Sequence, residues 1–412
     1  MDGPTVLFVI IVAAGAALEW WLLGRQIGAV RAHRELVPPA FAAQVSLAEH
    51  HKAADYTEAK ARLARFGTAL DALVTLALTV GGGIAALDAL WRPWGWSESA
   101  LGLAVIGSAA VAVWLVQLPL ALWRTFVLEA RFGFNRTSAR TYLLDLLKGL
   151  VLSVLLGVPV VLGALWLMRR AGPLWWLWGF LGWSALTLAI SWAWPVLIAP
   201  LFNRFTPLEA GELKTRIEAL LARCGFRSSG VFVVDGSRRS AHGNAYFTGF
   251  GRHKRIVFFD TLIAELSPPE IEAVLAHELG HFRLHHIRWR LAASIGTTFL
   301  AFAVLGWLSR QHAFYLALGV PHPSAHAALL LFAFAAPPVL YFTSPLAALW
   351  SRRHEFAADR FAAGHAEAHE LIGALVKLYR SNATTLTPDR LYSAFHYSHP
   401  PASERIEQLQ HR

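Results

Sequence analysis

The chain has 412 residues, of which 55% are apolar and only 16% charged, with 17 tryptophans. That balance excludes an ordinary soluble enzyme and points to a multi-span membrane protein. The formal charge of +10 does not signal nucleic acid, because the basic residues cluster beside hydrophobic runs, as juxtamembrane lysines and arginines do.

Seven segments are long and apolar enough to cross a bilayer: 5–23, 68–90, 100–123, 149–168, 174–198, 291–308 and 327–350. The first reads as a retained span, not a signal peptide, since no positive charge precedes it and no small-residue cleavage site follows. The fifth is rich in tryptophan, which suits an interfacial belt. Basic residues set the orientation. Residues 24–66 carry Arg25, Arg31, Arg34, Lys52, Lys60, Arg62 and Arg65, and 124–148, 203–290 and 351–412 are also basic. The alternate loops are poor, 91–99 holding only Arg92 and 309–326 only Arg310, with Arg169-Arg170 the single dissent. The amino terminus is therefore expected outside and the carboxyl terminus in the cytosol.

Between the fifth and sixth spans the pattern changes to that of a small folded unit. Thr206-Pro207-Leu208-Glu209 reads as a capping box opening a helix to about Arg223, with Gly225 as its stop. The one cysteine, Cys224, reads as a small buried hydrophobe beside that helix end. Alone, it excludes a disulfide and a thiolate-rich metal site. Residues 230–235 read as a short buried strand, and 245–248 and 255–259 as a β-hairpin around 249–254. A sheet edge beside the next helix is suited to hold an extended peptide by backbone pairing.

That next helix carries the most specific signal. Ser267-Pro268-Pro269-Glu270 supplies a serine cap, proline at the first helical position and the glutamate of a capping box. Ile271, Val274, Leu275 and Leu279 form its apolar stripe, and the run continues to about Ile287. Within it, His277-Glu278-Leu279-Gly280-His281 places two imidazoles on one face, where both reach a single metal ion. Glu278 is placed to accept a proton from an attacking water. The pattern is that of a zinc hydrolase with nitrogen and oxygen ligands.

Such a site needs a third protein ligand. His285 follows His281 by four residues, but a continuing helix would separate it from His277 by about 12 Å along the axis. No glycine follows His281 to turn the chain back, so His285 and His286 read as membrane-surface residues. His365-Ala366-Glu367-Ala368-His369 repeats the histidine spacing with the glutamate misplaced, and reads as a solvated helix face. Glu355 is the better candidate. With Asp359 four residues on, both carboxylates share one helical face. The same pattern fits an ordinary amphipathic helix with Arg352, Arg353 and Arg360 as salt partners. Two predicted spans separate the motif from Glu355, however, and an even number returns Glu355 to the side of His277 and His281.

The chain also resembles a known family, the CAAX prenyl protease 1 type of integral-membrane zinc endopeptidases, of the gluzincin class. The likeness covers Phe132-Gly133-Phe134-Asn135 with Asp145 and Lys148, Pro200-Leu201-Phe202-Asn203, Asn244-Ala245-Tyr246 and Lys254-Arg255-Ile256-Val257. It continues through Asp260-Thr261-Leu262, the motif helix, Glu355 with Asp359, Tyr397-Ser398-His399-Pro400-Pro401 and Arg405, in one order over most of the chain. The resemblance implies one zinc ion per chain, bound by His277, His281 and Glu355, with Glu278 as general base. It implies that Asp359 orients a ligand histidine, His277 in the first instance, and that Asn244, Ala245 and Tyr246 form the strand that pairs with substrate. His399 and Arg405 look like a family pair near the metal that stabilises the oxyanion. The family's fold is mainly α, with seven spans around a chamber and a cytosolic gluzincin-like zinc protease domain carrying a small β-sheet. Glu19, Asp71 and Gln117 either line such a chamber or pack helices together.

On this reading, 1–200 form the membrane region with five spans, 201–290 the first part of the catalytic domain, 291–350 a two-span hairpin, and 351–412 the second part. The expected partners are the bilayer and a peptide or protein substrate, lipidated or membrane-associated. An alanine-, arginine- and tryptophan-heavy composition, and a terminus at Arg412 without a di-lysine tail, suggest a bacterial inner-membrane member. Two rival readings remain: a quality-control protease with the same residues, and a non-catalytic chamber-forming scaffold with a vestigial site.

Overall fold

The computed structural model describes residues 2–226, 228–248 and 255–411, and helices dominate among them. Five are long and apolar enough to cross a membrane: Gly3–Ala32, Glu98–Glu129, Ala139–Arg170, Gly172–Phe202 and His286–Leu308. Two further apolar stretches are bent pairs, Leu47–Leu78 with Gly83–Trp94 at 52° and Ala325–Tyr341 with Ser344–Ala363 at 64°. Both bends have local causes. The first falls at Gly81-Gly82-Gly83, where Gly82 takes a left-handed φ of 78°. At the second, Pro345 lacks the N–H that would bind the Tyr341 carbonyl and continue the helix. Phe8, Val12, Leu101, Val105, Leu305 and Leu331 are buried together where these helices meet. Leu150, Val154 and Leu155 on Ala139–Arg170 remain exposed, as a lipid-facing surface requires.

The sheet has four strands, β1 (Phe205–Pro207), β2 (Val231–Val234), β3 (Ala245–Thr248) and β4 (Arg255–Phe259), in the order β1-β2-β4-β3. β2 runs parallel to β4, while β1–β2 and β3–β4 are antiparallel, with Tyr246 opposite Val257. The connection 249–254 lies outside the described residues. Ile256 and Phe258 of β4 pack on Leu262, Ile271, Leu275 and Leu279, joined by Leu371, Leu375 and Leu409 from the end of the chain. One core thus unites segments from both sides of the two intervening apolar helices.

Three sequence expectations need correction. Thr206 and Pro207 do not cap a helix; they lie in β1 opposite Val233 and Phe232, and the helix begins at Glu212 after Gly211. Proline is tolerated there because β1 is an edge strand. The motif helix stops at Arg283, short of residue 287: His285 takes a left-handed φ of 62°, and a new helix starts at His286. His365 and His369 do not share a helix face, since one helix ends at Ala363 and the next begins at Ala368.

Candidate metal centre

The motif helix Pro268–Arg283 is anchored at its start as its sequence predicts. The Glu270 amide donates to Ser267 Oγ, and the Ser267 amide to Glu270 Oε2 at 2.7 Å. Lys377, from the helix Ala368–Ser381, also donates to Glu270 Oε2 at 2.7 Å, so the cap is tied to the second segment of the unit. Ile271, Ala273, Leu275, Ala276 and Leu279 are buried, which fixes the helix rotation and turns His277 and His281 to one side.

The helix Ser344–Ala363 crosses that side, bringing Glu355 and Asp359, each only 1% exposed. Gly280 allows the approach: a Cβ there would stand 3.1 Å from the Ala358 Cα and from the Phe361 Cβ. His277, His281 and Glu355 converge as a result, with one ligand atom from each lying within 4.8 Å of the others. His277 Nε2 and His281 Nε2 are 3.2 Å apart, and Glu355 stands 3.3 Å from each. Four tetrahedral ligands at zinc bond lengths of 2.0–2.1 Å would lie about 3.3 Å from one another, so the donor set fits zinc. Two features also fit a cation. Two imidazole Nε2 atoms face each other at 3.2 Å, and the buried Glu355 Oε2 accepts no hydrogen bond even though His277 is close.

Asp359 lies behind His277. Its Oδ1 is 2.8 Å from His277 Nδ1, which leaves Nε2 free to face the cluster. Arg405, on the helix Ala402–Gln410, donates to both Asp359 oxygens, at 2.8 and 2.6 Å, and lies 3.3 Å from His277 Nδ1. Nε and one terminal nitrogen of Arg405, the residue expected to stabilise an oxyanion, are thus engaged with Asp359 on the Nδ1 side of His277. His399 is placed otherwise. It is exposed, with Nε2 3.5 Å from Glu355 Oε1 and Nδ1 held by Ser398 Oγ at 3.0 Å. Glu278 is half-buried beside the cluster. Burial pushes its carboxyl above the usual range, opposed by His277 and His281 and reinforced by the Glu355 charge.

Asn244, Ala245 and Tyr246 lie at β3, the outer strand of the sheet, and the Asn244 side chain takes the Ala245 amide at 2.8 Å. The edge is open on its outer side among the described residues. The two further family-like blocks meet at Arg239, which bonds both Asp145 oxygens, Asn203 Oδ1 and the Phe202 carbonyl, while Lys148 holds the Leu201 carbonyl. Gln117 donates to Asp71, and Glu19 takes Tyr341 Oη at 2.7 Å and His396 at 3.0 Å, so these groups pair across helices. Gln117 also borders a cavity of about 830 Å³, with Lys60, Arg124, Tyr392 and Tyr397.

Sequence reasoning missed two histidines. His286, read as a membrane-surface residue, is buried with its Nδ1 3.0 Å from His281 Nδ1. Its ring stacks on His354, centroids 4.1 Å apart at 9°. The only sequence signal was an unexplained run of histidines.

Residues 26–204 match the family model described as CAAX prenyl protease N-terminal, five membrane helices, and 207–412 match Peptidase family M48. A CAAX prenyl protease 1 of Saccharomyces cerevisiae is 33% identical, over 99% of this chain and 96% of its own. A CAAX prenyl protease 1 homolog of Oryza sativa is 41% identical, over 73% of this chain and 72% of its own. The crystal structure of S. mikatae Ste24p superposes with a TM-score of 0.91 at 32% identity, covering 99% of both chains. These relatives are eukaryotic and lend no support to a bacterial origin.

Proposed function

The chain belongs to the CAAX prenyl protease 1 family of membrane metalloendopeptidases, and from that premise we propose that His277, His281 and Glu355 hold one zinc ion with Glu278 as general base. The observation that carries this is the set of 3.2–3.3 Å separations among the three donor groups, together with the unsatisfied Glu355 oxygen. Zinc, when bound, supplies Lewis acidity toward water and the scissile carbonyl. Glu278 accepts the proton of the attacking water and returns it to the leaving amine, a role suited by a carboxyl whose proton affinity burial has raised. Asp359 accepts from His277 Nδ1 and so holds the tautomer that presents Nε2, while Arg405 holds Asp359 in place. The outer edge of β3 at Asn244–Tyr246 pairs with an extended substrate, and His399, on the open side, donates to the carbonyl oxygen as it gains charge.

The two bent helix pairs count as spans in this reading, giving seven. The amino terminus then lies outside, and the catalytic domain, built from 201–290 and 351–412 around the 291–350 hairpin, faces the cytosol. The substrate is a peptide near a lipidated carboxyl terminus, the class named in the chain's relatives. The deciding experiment compares a farnesylated CAAX peptide with an unmodified denatured membrane protein, using full chain with one equivalent of zinc. Preferential, chelator-sensitive cleavage of the farnesylated peptide supports the proposal. Preference for the denatured protein assigns quality control instead, and zinc binding without hydrolysis of either assigns a scaffold.

A further inference from the structure

We propose that His286 is a positioning residue for the metal centre, holding His281 in the tautomer and orientation that a metal ligand requires; this rests on the zinc reading above. His281 turns Nε2 toward His277 and Glu355, so its proton must sit on Nδ1. The group facing that Nδ1 is the Nδ1 of His286, at 3.0 Å. For a hydrogen bond to form, His286 must offer a bare Nδ1 and keep its own proton on Nε2. The two ligand histidines are therefore supported differently: His277 by a carboxylate bonded to Arg405, and His281 by a neutral ring.

Three features hold that ring in place. His285 adopts the left-handed conformation that ends the motif helix and brings the next residue back beneath His281. Left-handed backbone is unfavourable for a non-glycine residue, and such positions persist where surrounding structure over-determines them. His354 then lies flat on His286, and Trp350 meets His354 edge-on at 4.8 Å and 61°. Finally, His354 immediately precedes Glu355, so the helix that brings the third ligand also brings the ring that fixes the support of the second. His286 is only 5% exposed, which protects the hydrogen bond from water.

The test uses the full chain in detergent and measures zinc affinity by chelator competition, the visible spectrum of the cobalt-substituted form, and kcat and KM. His286→Leu keeps the volume and removes the acceptor; His286→Asn keeps an acceptor close to the Nδ1 position. The expected result is a loss of zinc affinity of about 10- to 100-fold for Leu, the range seen when such outer partners are removed. It should be accompanied by a shifted cobalt spectrum and a fall in kcat with KM within twofold, and Asn should recover affinity to within about fivefold of wild type. Wild-type affinity and spectrum in a folded His286→Leu protein would overturn the proposal. Should the leucine variant not fold, Asn and Gln decide, because Gln displaces the acceptor: equal affinities overturn the idea, and a weaker Gln supports it. Failure of the zinc reading is separate, since it would show as no stoichiometric zinc in the wild-type chain.

Discussion

Gly280→Ala tests how closely the two metal-bearing helices must approach. The added Cβ would sit 3.1 Å from the Ala358 Cα, 3.1 Å from the Phe361 Cβ and 3.2 Å from the Ala358 carbonyl oxygen. Ordinary contact begins near 3.4 Å, so the helix axes must separate by at least about 0.3 Å. Two of these neighbours are backbone atoms, which cannot rotate away. Ala358 lies between Glu355 and Asp359, so the displacement carries a ligand and the partner of His277 with it. Metal sites tolerate about 0.2 Å in ligand distance, so the shift exceeds the margin.

Helix propensity favours alanine by about 1 kcal/mol, while overpacking costs about 1–3 kcal/mol. The metal-free protein should therefore lose between nothing and about 2 kcal/mol. Zinc affinity should fall by about tenfold or more, equivalent to roughly 1.4 kcal/mol. Chelator competition measures the second quantity and thermal unfolding of metal-free protein the first. Gly149→Ala is the control, because nothing lies within 4 Å of a Cβ there. Gly280→Ala protein that binds zinc within twofold of wild type would show slack between the helices and refute the reasoning.

Glu278→Gln should retain stoichiometric zinc by elemental analysis while peptide hydrolysis falls by about 10²–10⁴-fold, the usual worth of a general base. Glu355→Ala should abolish zinc retention, whereas His285→Ala should keep it, since the His285 backbone forms the turn between helices and its ring is absent from the ligand cluster; equal zinc loss in both would reassign the third ligand. Arg239→Lys should lower thermal stability by about 1–3 kcal/mol, because a single ammonium cannot replace the forked contacts to Asp145, Asn203 and Phe202. An unchanged melting temperature would mean that this junction is held by other contacts.

What the sequence made legible is what local rules govern. The Ser267 cap is an interaction between residues three apart, and it forms as read. The histidine pair follows from helical spacing, and Glu355 followed from the parity of the apolar segments between it and the motif. Where a local rule competes with tertiary pairing, it fails. Thr206-Pro207-Leu208-Glu209 has the letters of a capping box, yet pairing with Phe232 and Val233 offers its backbone more hydrogen bonds than an isolated first turn would. The break at His285 is the more instructive case. Nothing in His281-Phe282-Arg283-Leu284-His285 announces a helix end, because neither glycine nor proline is present. A left-handed histidine costs about 1–2 kcal/mol, and local interactions offer no return for it. The return comes from residues far away in sequence: His354 stacks on the next ring and Trp350 meets His354 edge-on, which holds that ring edge-on to His281. His285 stays out of the ligand cluster not by distance along an unbroken helix but because the chain turns there and brings His286 to the back of His281, on the Nδ1 side. A histidine run beside a metal motif is thus better read for outer partners than for a third ligand, since a ring that supports a ligand needs only one contact, and a short turn can provide it.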